Sequence, residues 1–360
     1  MIPLGIAESL TRGWTLADVV SSPIASEAFA ASRRIYPAVK KTELYRSSWL
    51  SDKGGCDAYL KLENQQVTGS FKARGATHKV LSLELDAVRK GLVTCSTGNH
   101  ALAFLHACSL LPSLRGPEWA ASPLVYLPVT VSSAKASMLR EQGAQLVMHG
   151  DDSVEAEREA RRVADERGMT YVSPYNDPQV AGGQGTIALE LLSQLPAGKL
   201  DAVFVPVGGG GLISGISSVL AGVRPRVRVI ACQPANSCVM MHSVRAGRIL
   251  DLPSEDTLSD GTAGGVEEMS ITLQPCCDLV DDWVTVEEHQ IAAAMVGLKE
   301  AEGVSVEGSA GVGLASFLKS KERWRGKSVA IVCCGGNISQ ETYAKAEQIA
   351  RTYTNYSETS

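Results

Sequence analysis

The stretch Ala202-Val-Phe-Val-Pro-Val-Gly-Gly-Gly-Gly-Leu-Ile-Ser-Gly-Ile-Ser-Ser-Val-Leu-Ala221 decides the fold. Ala202–Pro206 is a short apolar run without alternation, typical of a strand buried on both faces of a parallel sheet. Four glycines follow, Gly208 to Gly211, and a helical pattern then runs over Leu212–Ala221. Strand, glycine turn and helix in direct succession predict a βα unit with converging backbone amides.

Outward from this stretch, short apolar runs alternate with longer helical patterns. The other predicted strands are Ala58–Leu62, Leu92–Cys95, Leu124–Leu127, Gln145–Met148, Val227–Ala231 and Ser328–Val332. The other predicted helices are Phe71–Leu83, Ala101–Leu110, Ser133–Gln142, Asp152–Arg167, Gln184–Gln194, Val286–Glu302 and Gln340–Tyr353. The alternation predicts an α/β fold with right-handed crossovers. Leu111–Pro123, rich in Pro, Ser and Gly, is predicted to be a surface loop.

Composition excludes several classes of protein. The 360 residues suggest two domains at roughly 150 residues each. With 44% hydrophobic and 20% charged residues, the chain is globular rather than disordered. The net charge of -5 argues against a nucleic-acid partner, because no basic excess is available for phosphates. No apolar run approaches the ~20 residues that a membrane helix needs, so no membrane partner is expected.

The cysteines and the N-terminal residues predict a cytoplasmic protein. There are nine cysteines, an odd number, and none forms a C-x-x-C pair. Residues 1–20 lack a basic segment followed by an apolar core, so they do not predict a secretory signal. Reduced thiols in the cytoplasm are the simplest account.

The glycine loop is the most specific motif for ligand binding. No Lys-Ser/Thr pair follows Gly208–Gly211, so the loop is not a P-loop, and no acidic residue stands at a convincing ribose position. It therefore predicts a site for a monophosphate at a helix N-terminus. A merely tight turn is the alternative.

A lysine opens the first long helix. In Val67-Thr-Gly-Ser-Phe-Lys-Ala-Arg-Gly75, Lys72 stands where a glycine-containing turn enters a helix. The helix N-terminus disfavours an ammonium, so the pKa of Lys72 is expected to be lowered and its amine to be usable for a Schiff base. The alternative is a lysine with its head in water.

Two further motifs follow strands. Ser96-Thr-Gly-Asn-His100 comes after a strand and before a helix, which presents amides suited to a carboxylate, unless it is a simple N-capped helix. Cys333-Cys-Gly-Gly-Asn337 places a side chain at the end of a strand, where open α/β sheets bind ligands. Cys334 could equally be a buried structural thiol.

In order, these segments resemble the fold-type-II pyridoxal-phosphate enzymes of the serine/threonine dehydratase and serine racemase family. The resemblance is carried by Lys61–Asn64, Thr68–Gly75, Ser96–His100, Pro174–Pro178, Gly183–Glu190, Gly208–Leu212, Ser259–Gly261, Glu307–Gly311 and Cys334–Asn337. They run collinearly over nearly the whole chain. The resemblance implies two open twisted sheets flanked by helices, with pyridoxal 5'-phosphate as the cofactor.

The resemblance also implies roles for individual residues. Lys72 would be the Schiff-base lysine that also moves the Cα proton, and Phe71 would pack on the pyridine ring. Asn99 would bind the ring's 3-oxygen. The phosphate would lie against the amides of Gly208, Gly209, Gly210, Gly211 and Leu212. The substrate carboxylate would be held at Ser96, Thr97, Gly98, Asn99 and His100.

Cys334 would stand beside the pyridine nitrogen. A thiol cannot protonate that nitrogen as an aspartic acid would, so a neutral, weaker electron sink is expected, which favours prompt loss of a β-substituent. This predicts an ammonia-lyase that converts a β-hydroxy amino acid, such as L-threonine or L-serine, to a 2-oxo acid and ammonia. The alternatives are a lyase for 3-hydroxyaspartate or phenylserine, an amino-acid racemase, or a cofactor-binding protein without activity.

Two positions depart from the racemase pattern. Thr97 stands where the racemases carry a serine on the face opposite the lysine, which disfavours racemisation. Gln233 and Val239 stand where their metal site needs Glu and Asp, so no metal is expected, although a monovalent cation remains open.

The motif order predicts the domain arrangement. A large cofactor-binding domain would comprise residues 1–86 and 174–360, and a small nested domain residues 87–173. The chain leaves no room after Asn337 for a regulatory domain. The family implies a homodimer.

Overall fold

The computed structural model describes residues 22–358, with side chains described to residue 352. The strands are β1 (Leu44–Arg46), β2 (Asp57–Lys61), β3 (Leu92–Cys95), β4 (Leu124–Leu127), β5 (Gln145–Met148), β6 (Thr170–Tyr171), β7 (Ala202–Pro206), β8 (Arg228–Pro234), β9 (Asp282–Val286) and β10 (Ser328–Val332). The segment predicted not to be a secretory signal, residues 1–20, lies outside the described residues.

The helices connect and cover these strands. They are α1 (Pro23–Arg34), α2 (Ser48–Gly54), α3 (Lys72–Ser82), α4 (Leu85–Lys90), α5 (Asn99–Arg115), α6 (Ser133–Glu141), α7 (Ser153–Arg167), α8 (Pro178–Gln194), α9 (Gly211–Leu220), α10 (Val239–Ala246), α11 (Leu273–Leu279), α12 (Glu288–Glu302), α13 (Gly308–Ser320) and α14 (Gln340–Glu358). Within the described part of the chain, no helix is long and apolar enough to cross a membrane.

The strands form two sheets. One has six strands in the order β1-β2-β10-β7-β8-β9, all parallel except β1. The other has four parallel strands in the order β5-β4-β3-β6. This confirms the predicted α/β class with two helix-flanked sheets. The strands of the smaller sheet fall between residues 92 and 171; the predicted division into two domains stays a prediction.

The six-stranded sheet lies at the centre of the larger core. Every residue of β7 and β10 is buried, because helices cover both faces of these strands. Phe204 of β7 packs edge-to-face on Phe317 and Trp324, with ring centroids 5.7 and 5.5 Å apart. Edge-to-face aromatic packing of this kind adds about 0.5–1.5 kcal/mol beyond area burial.

Glycines bring three helices into main-chain contact. A Cβ on Gly183 of α8 would lie 2.5 Å from the Cα of Gly75 in α3. A Cβ on Gly215 of α9 would lie 2.1 Å from the carbonyl oxygen of Ala181 in α8. Because real Cβ atoms do not approach so closely, only glycine permits α8 to lie directly between α3 and α9.

A buried ion network anchors α3. The Arg74 guanidinium makes paired hydrogen bonds to the carboxylates of Glu63 and Glu190, at 2.6 to 3.0 Å. The Lys61 Nζ donates to Glu190 Oε2 at 2.6 Å. All four side chains are buried, so removal of one partner would leave an uncompensated charge, at a cost of about 3–5 kcal/mol. The network therefore holds the start of α3 firmly on the six-stranded sheet.

Several predicted boundaries are wrong. Residues 111–115 are not loop but the last turn of α5, with Leu111 buried, and the rest of the predicted loop contains a 3₁₀ turn, Pro117–Trp119. Helix α8 begins at Pro178 rather than Gln184, because the Asp177 side chain caps the amides of residues 179 and 180. Val286 ends strand β9 instead of beginning a helix.

Candidate active site

A cavity of about 690 Å³ opens between the two sheets, where the loops after their strands meet. Every residue assigned to a site from the sequence lines it. These residues are Phe71, Lys72, Ser96, Thr97, Gly98, Asn99, His100, Gly208, Gly209, Gly210, Gly211, Leu212 and Cys334. The structure therefore brings together four motifs that are far apart in sequence, although their individual roles stay predictions.

Lys72 presents an amine in this cavity. It is the first residue of α3, and its Nζ donates to the Pro174 carbonyl at 2.8 Å. Burial lowers the pKa of Lys72 to about 8, while Cys334 and Glu307 oppose the shift. Burial is the first cause of the lowered pKa. The alternative of a lysine head in bulk water is wrong.

The Lys72 loop is tied to the Cys334 loop by its backbone. The Phe71 amide donates to the Cys334 carbonyl at 3.0 Å, and Ser70 forms a β-bridge with Gly335. The Cys334 side chain is buried, and desolvation holds the pKa of its thiol well above the ordinary value. The cavity thus contains an amine and a neutral thiol on two loops that cannot move independently.

The glycine loop offers backbone donors. The amides of Gly208, Gly209 and Gly210 donate to no backbone or side-chain group among the described residues, and Gly211 and Leu212 begin α9, where amides lack intrahelical acceptors. The loop is also constrained by the protein. A Cβ on Gly209 or Gly211 would lie 2.5 or 2.8 Å from Tyr175. The glycines are therefore required by close packing as well as by any bound phosphate.

The loop after β3 supplies a second set of amides. The Gly98 amide donates weakly to Ser96 Oγ at 3.3 Å. The His100 Nε2 lies 3.0 Å from the Val172 carbonyl, an acceptor, so Nε2 carries the proton. Burial and the Lys72 charge lower the pKa of His100 to about 3, so the ring is neutral. His100 is thus a fixed neutral side chain rather than a base.

Glu307 is a site residue that the sequence reasoning did not assign. It precedes α13, lines the cavity and is 5% exposed. The Asn99 Nδ2 lies 3.1 and 3.0 Å from its two carboxylate oxygens. Burial raises the pKa of Glu307 to about 7, opposed by the Asn99 hydrogen bond. The one signal for Glu307 in the sequence is its place in the segment Glu307–Gly311, which carries part of the family resemblance.

The donor set fits pyridoxal phosphate. Unpartnered loop amides beside a helix N-terminus suit a phosphate, and the Lys72 amine, with a pKa of about 8, suits a carbonyl carbon. The buried thiol of Cys334 is uncharged, as the expected neutral ring nitrogen requires. These residues could therefore hold the cofactor as the sequence predicts.

Gln233, which stands where the metal site of the racemases needs Glu, is hydrogen-bonded by other protein groups. The Gln233 Nε2 donates to the Val207 carbonyl at 3.1 Å, and its Oε1 accepts from the Met241 amide at 3.0 Å. Across residues 22–358, no cluster of three or more His, Cys, Asp or Glu is placed to hold a metal ion. Independence from a divalent metal stays a prediction.

Comparison with known proteins gives consistent results. The family model described as pyridoxal-phosphate dependent enzyme matches residues 35–335. The L-threonine ammonia-lyase of Thermotoga maritima is 39% identical over 308 residues, 86% of this chain and 74% of the relative. The serine racemase of Arabidopsis thaliana is 36% identical over 314 residues, 86% and 91% of the two chains.

A solved structure agrees. The processed form of threonine deaminase isoform 2 from Solanum lycopersicum superposes with a TM-score of 0.82 at 28% identity, covering 92% of this chain and 94% of the other. The predicted family, fold class and cofactor are thereby confirmed.

Proposed function

The chain belongs to the family of pyridoxal-phosphate-dependent enzymes, and from that premise we propose that it is an ammonia-lyase that dehydrates and deaminates a β-hydroxy amino acid, L-threonine or L-serine. The observation that carries the proposal is the pairing of the Lys72 amine with the uncharged Cys334 thiol on two joined loops inside one cavity. Relatives named L-threonine ammonia-lyase and L-threonine dehydratase support the reaction class.

The residues divide the chemistry among themselves. Bound pyridoxal phosphate supplies an electron-accepting ring that makes the α-hydrogen of an attached amino acid acidic. Lys72 would hold the cofactor at rest and, as a free amine, would take the proton from the substrate Cα. Over the whole reaction the substrate would lose its β-hydroxyl as water, and hydrolysis of the resulting enamine would give a 2-oxo acid and ammonia.

The other cavity residues bind and orient. The amides of Gly208, Gly209, Gly210, Gly211 and Leu212 hold the phosphate, and Phe71 packs on the ring. The loop Ser96–His100 holds the substrate carboxylate through its backbone amides. Cys334 leaves the ring nitrogen unprotonated, because a thiol with a raised pKa is a poor proton donor. A weaker electron sink favours early departure of the β-substituent over return of the proton.

A substrate panel tests the reaction. The purified holoenzyme is incubated with L-threonine, L-serine, 3-hydroxyaspartate and phenylserine, and 2-oxo acid and ammonia are quantified together. Equal amounts of both products from L-threonine or L-serine support the proposal. Accumulation of D-serine from L-serine without pyruvate would instead identify a racemase, the activity named for several relatives. Absence of both products would overturn the proposal.

The remaining expectations belong to the same proposal. The small domain would comprise residues 87–173, and the large domain residues 1–86 and 174–360. The protein would act as a homodimer on a small amino acid, without nucleic acid or membrane. Its nine cysteines are unpaired, which supports a cytoplasmic location. Light scattering after size-exclusion chromatography would measure the oligomeric state.

A further inference from the structure

Asn99 lies in a chain of hydrogen bonds that has one direction. The Asn337 Nδ2 donates to the Thr68 carbonyl at 2.8 Å and to the Asn99 Oδ1 at 2.7 Å. A backbone carbonyl only accepts, so the atom of Asn337 that faces it must be the nitrogen. The atom of Asn99 that faces Asn337 must then be its oxygen.

The hydrogen bonds on the other side of Asn99 run in the same direction. The Asn99 Nδ2 faces both oxygens of Glu307 at 3.1 and 3.0 Å, and the ionised form of Glu307 only accepts. Both Glu307 oxygens belong to one carboxylate and lie in one direction from the Asn99 Nδ2, which carries two N–H groups. The Nδ2 has no other acceptor among the described residues, so one N–H is left over, and Asn99 lines the cavity. Asn99 is therefore held between two partners with its spare N–H available to a ligand.

Glu307 is built into this position without an ion-pair partner in direct contact. No lysine or arginine of the described residues lies within ion-pair distance of its carboxylate. A Cβ on Gly335 would lie 2.4 Å from its Oε1, so the glycine leaves the space that the carboxylate fills. Its charged surroundings are Lys72 and Asp260. A buried carboxylate without a direct ion pair is costly, and such groups concentrate at functional sites.

We propose that Glu307 and Asn337 are positioning residues that clamp the Asn99 amide, so that it offers an N–H and never its oxygen to the acceptor oxygen on the cofactor ring. The inference rests on the proposed function, since the ligand opposite Asn99 is taken to be bound pyridoxal phosphate. Glu307 and Asn337 line the cavity on the side of the six-stranded sheet. Asn99 begins the helix after β3 of the four-stranded sheet. The clamp therefore also joins the two sides of the cavity.

The test uses holoenzyme and two substitutions at Glu307. Glu307→Gln keeps an acceptor oxygen in the same place, whereas Glu307→Leu removes it. We expect Glu307→Leu to weaken pyridoxal phosphate binding about tenfold and to shift the pH at which the bound chromophore's absorbance titrates. Glu307→Gln should stay within about threefold of wild-type affinity. The double variant Glu307→Leu/Asn337→Ala should weaken cofactor binding more than either single substitution does.

A matched control separates clamping from stability. Glu302→Gln removes a part-buried carboxylate that accepts from Ser47 Oγ and the Trp49 amide, outside the cavity. It should leave the chromophore titration unchanged. An unaltered titration and affinity in the folded double variant would overturn the clamp. Wild-type holoenzyme that binds cofactor but releases no 2-oxo acid would overturn the proposed function alone, because the clamp is measured by the spectrum.

Discussion

The centre of the six-stranded sheet and the outer edge of the four-stranded sheet differ in how completely they are buried. In the six-stranded sheet, every residue of β7 and β10 is buried. In the four-stranded sheet, β5 has no buried residue, and its neighbour α6 buries only Ala136 and Leu139. The six-stranded side carries Lys72, the glycine loop and Cys334, whereas the four-stranded side carries Ser96–His100. The backbone of β5 and α6 is accordingly expected to open more easily than that of β7 and β10.

The largest expected effect comes from removing the Lys72 amine, on the side of the six-stranded sheet. Lys72→Ala should lower 2-oxo acid formation by a factor on the order of 10³ or more, because both the covalent anchor and the base are lost. Steady-state kinetics, with circular dichroism as a check of folding, measures this. Lys79→Ala is the control on the same helix, since Lys79 pairs with Asp177 outside the cavity.

Labelling gives an independent check of the same residue. Borohydride reduction of the holoenzyme should attach the cofactor to the peptide that contains Lys72. A label on another lysine, or full activity in Lys72→Ala, would contradict the assignment.

Core substitutions test the difference in burial between the central strand β7 and the edge strand β5 directly. Phe204→Ala should lower the free energy of unfolding by about 3–5 kcal/mol, because the buried ring packs on two other aromatic rings. Leu146→Ala, in half-buried β5, should cost about 1–2 kcal/mol. Guanidinium unfolding of both variants measures the two values. Equal losses would show that β5 is as well packed as β7.

The pH dependence of cofactor attachment tests the Lys72 environment. Only the neutral amine attacks a carbonyl, and the pKa of Lys72 is lowered to about 8 by burial. The attachment rate of cofactor-free protein should therefore rise about tenfold per pH unit below 8 and level off above it. Stopped-flow absorbance between pH 6 and 9.5 measures this rate. A rate still rising tenfold per unit at pH 9.5 would indicate an ordinary, solvated lysine.

The smallest expected effect concerns the ion pair between Arg161, on the side of the four-stranded sheet, and Glu267, on the side of the six-stranded sheet. Arg161 of α7 contacts Glu267 at 2.7 Å, next to a loop that lines the cavity. Arg161→Met should raise KM about two- to fivefold with little change in kcat, since a half-exposed pair contributes about 0.2–1 kcal/mol. Arg162→Met is the control, because Arg162 pairs with Glu159 and Glu166 of its own helix. Equal KM changes in both variants would exclude a role for the contact.

The sequence predicts the buried parts of this fold best. Strands such as β7 and β10 are apolar on both faces, so their bounds follow from composition. Strands β1 and β6, of three and two residues, were missed because so short a run carries no periodic signal. Helix α13 was also missed, because Gly308–Ser320 is rich in small residues and buried almost all round, which removes the amphipathic pattern.

The site was predictable where function leaves a local motif. Lys72 and the glycine loop each stand in a recognisable strand, turn and helix context. Glu307 was not assigned, because its importance lies in the contact with Asn99, 208 residues away in the chain. The burial that lowers the pKa of Lys72 likewise could not be predicted, since it depends on loops from both sheets that no local segment contains.

The main-chain contacts of α8 have a consequence for which substitutions this protein can accept during evolution. The separation between the Lys72 helix and the helix after the glycine loop is set by glycine backbones at positions 75, 183 and 215. Replacement of side chains around the cavity leaves that separation unchanged, so substitutions that alter substrate preference would keep the Lys72 amine and the glycine loop at the same spacing. Variation should accordingly be tolerated at the mouth of the cavity and excluded at these three glycines.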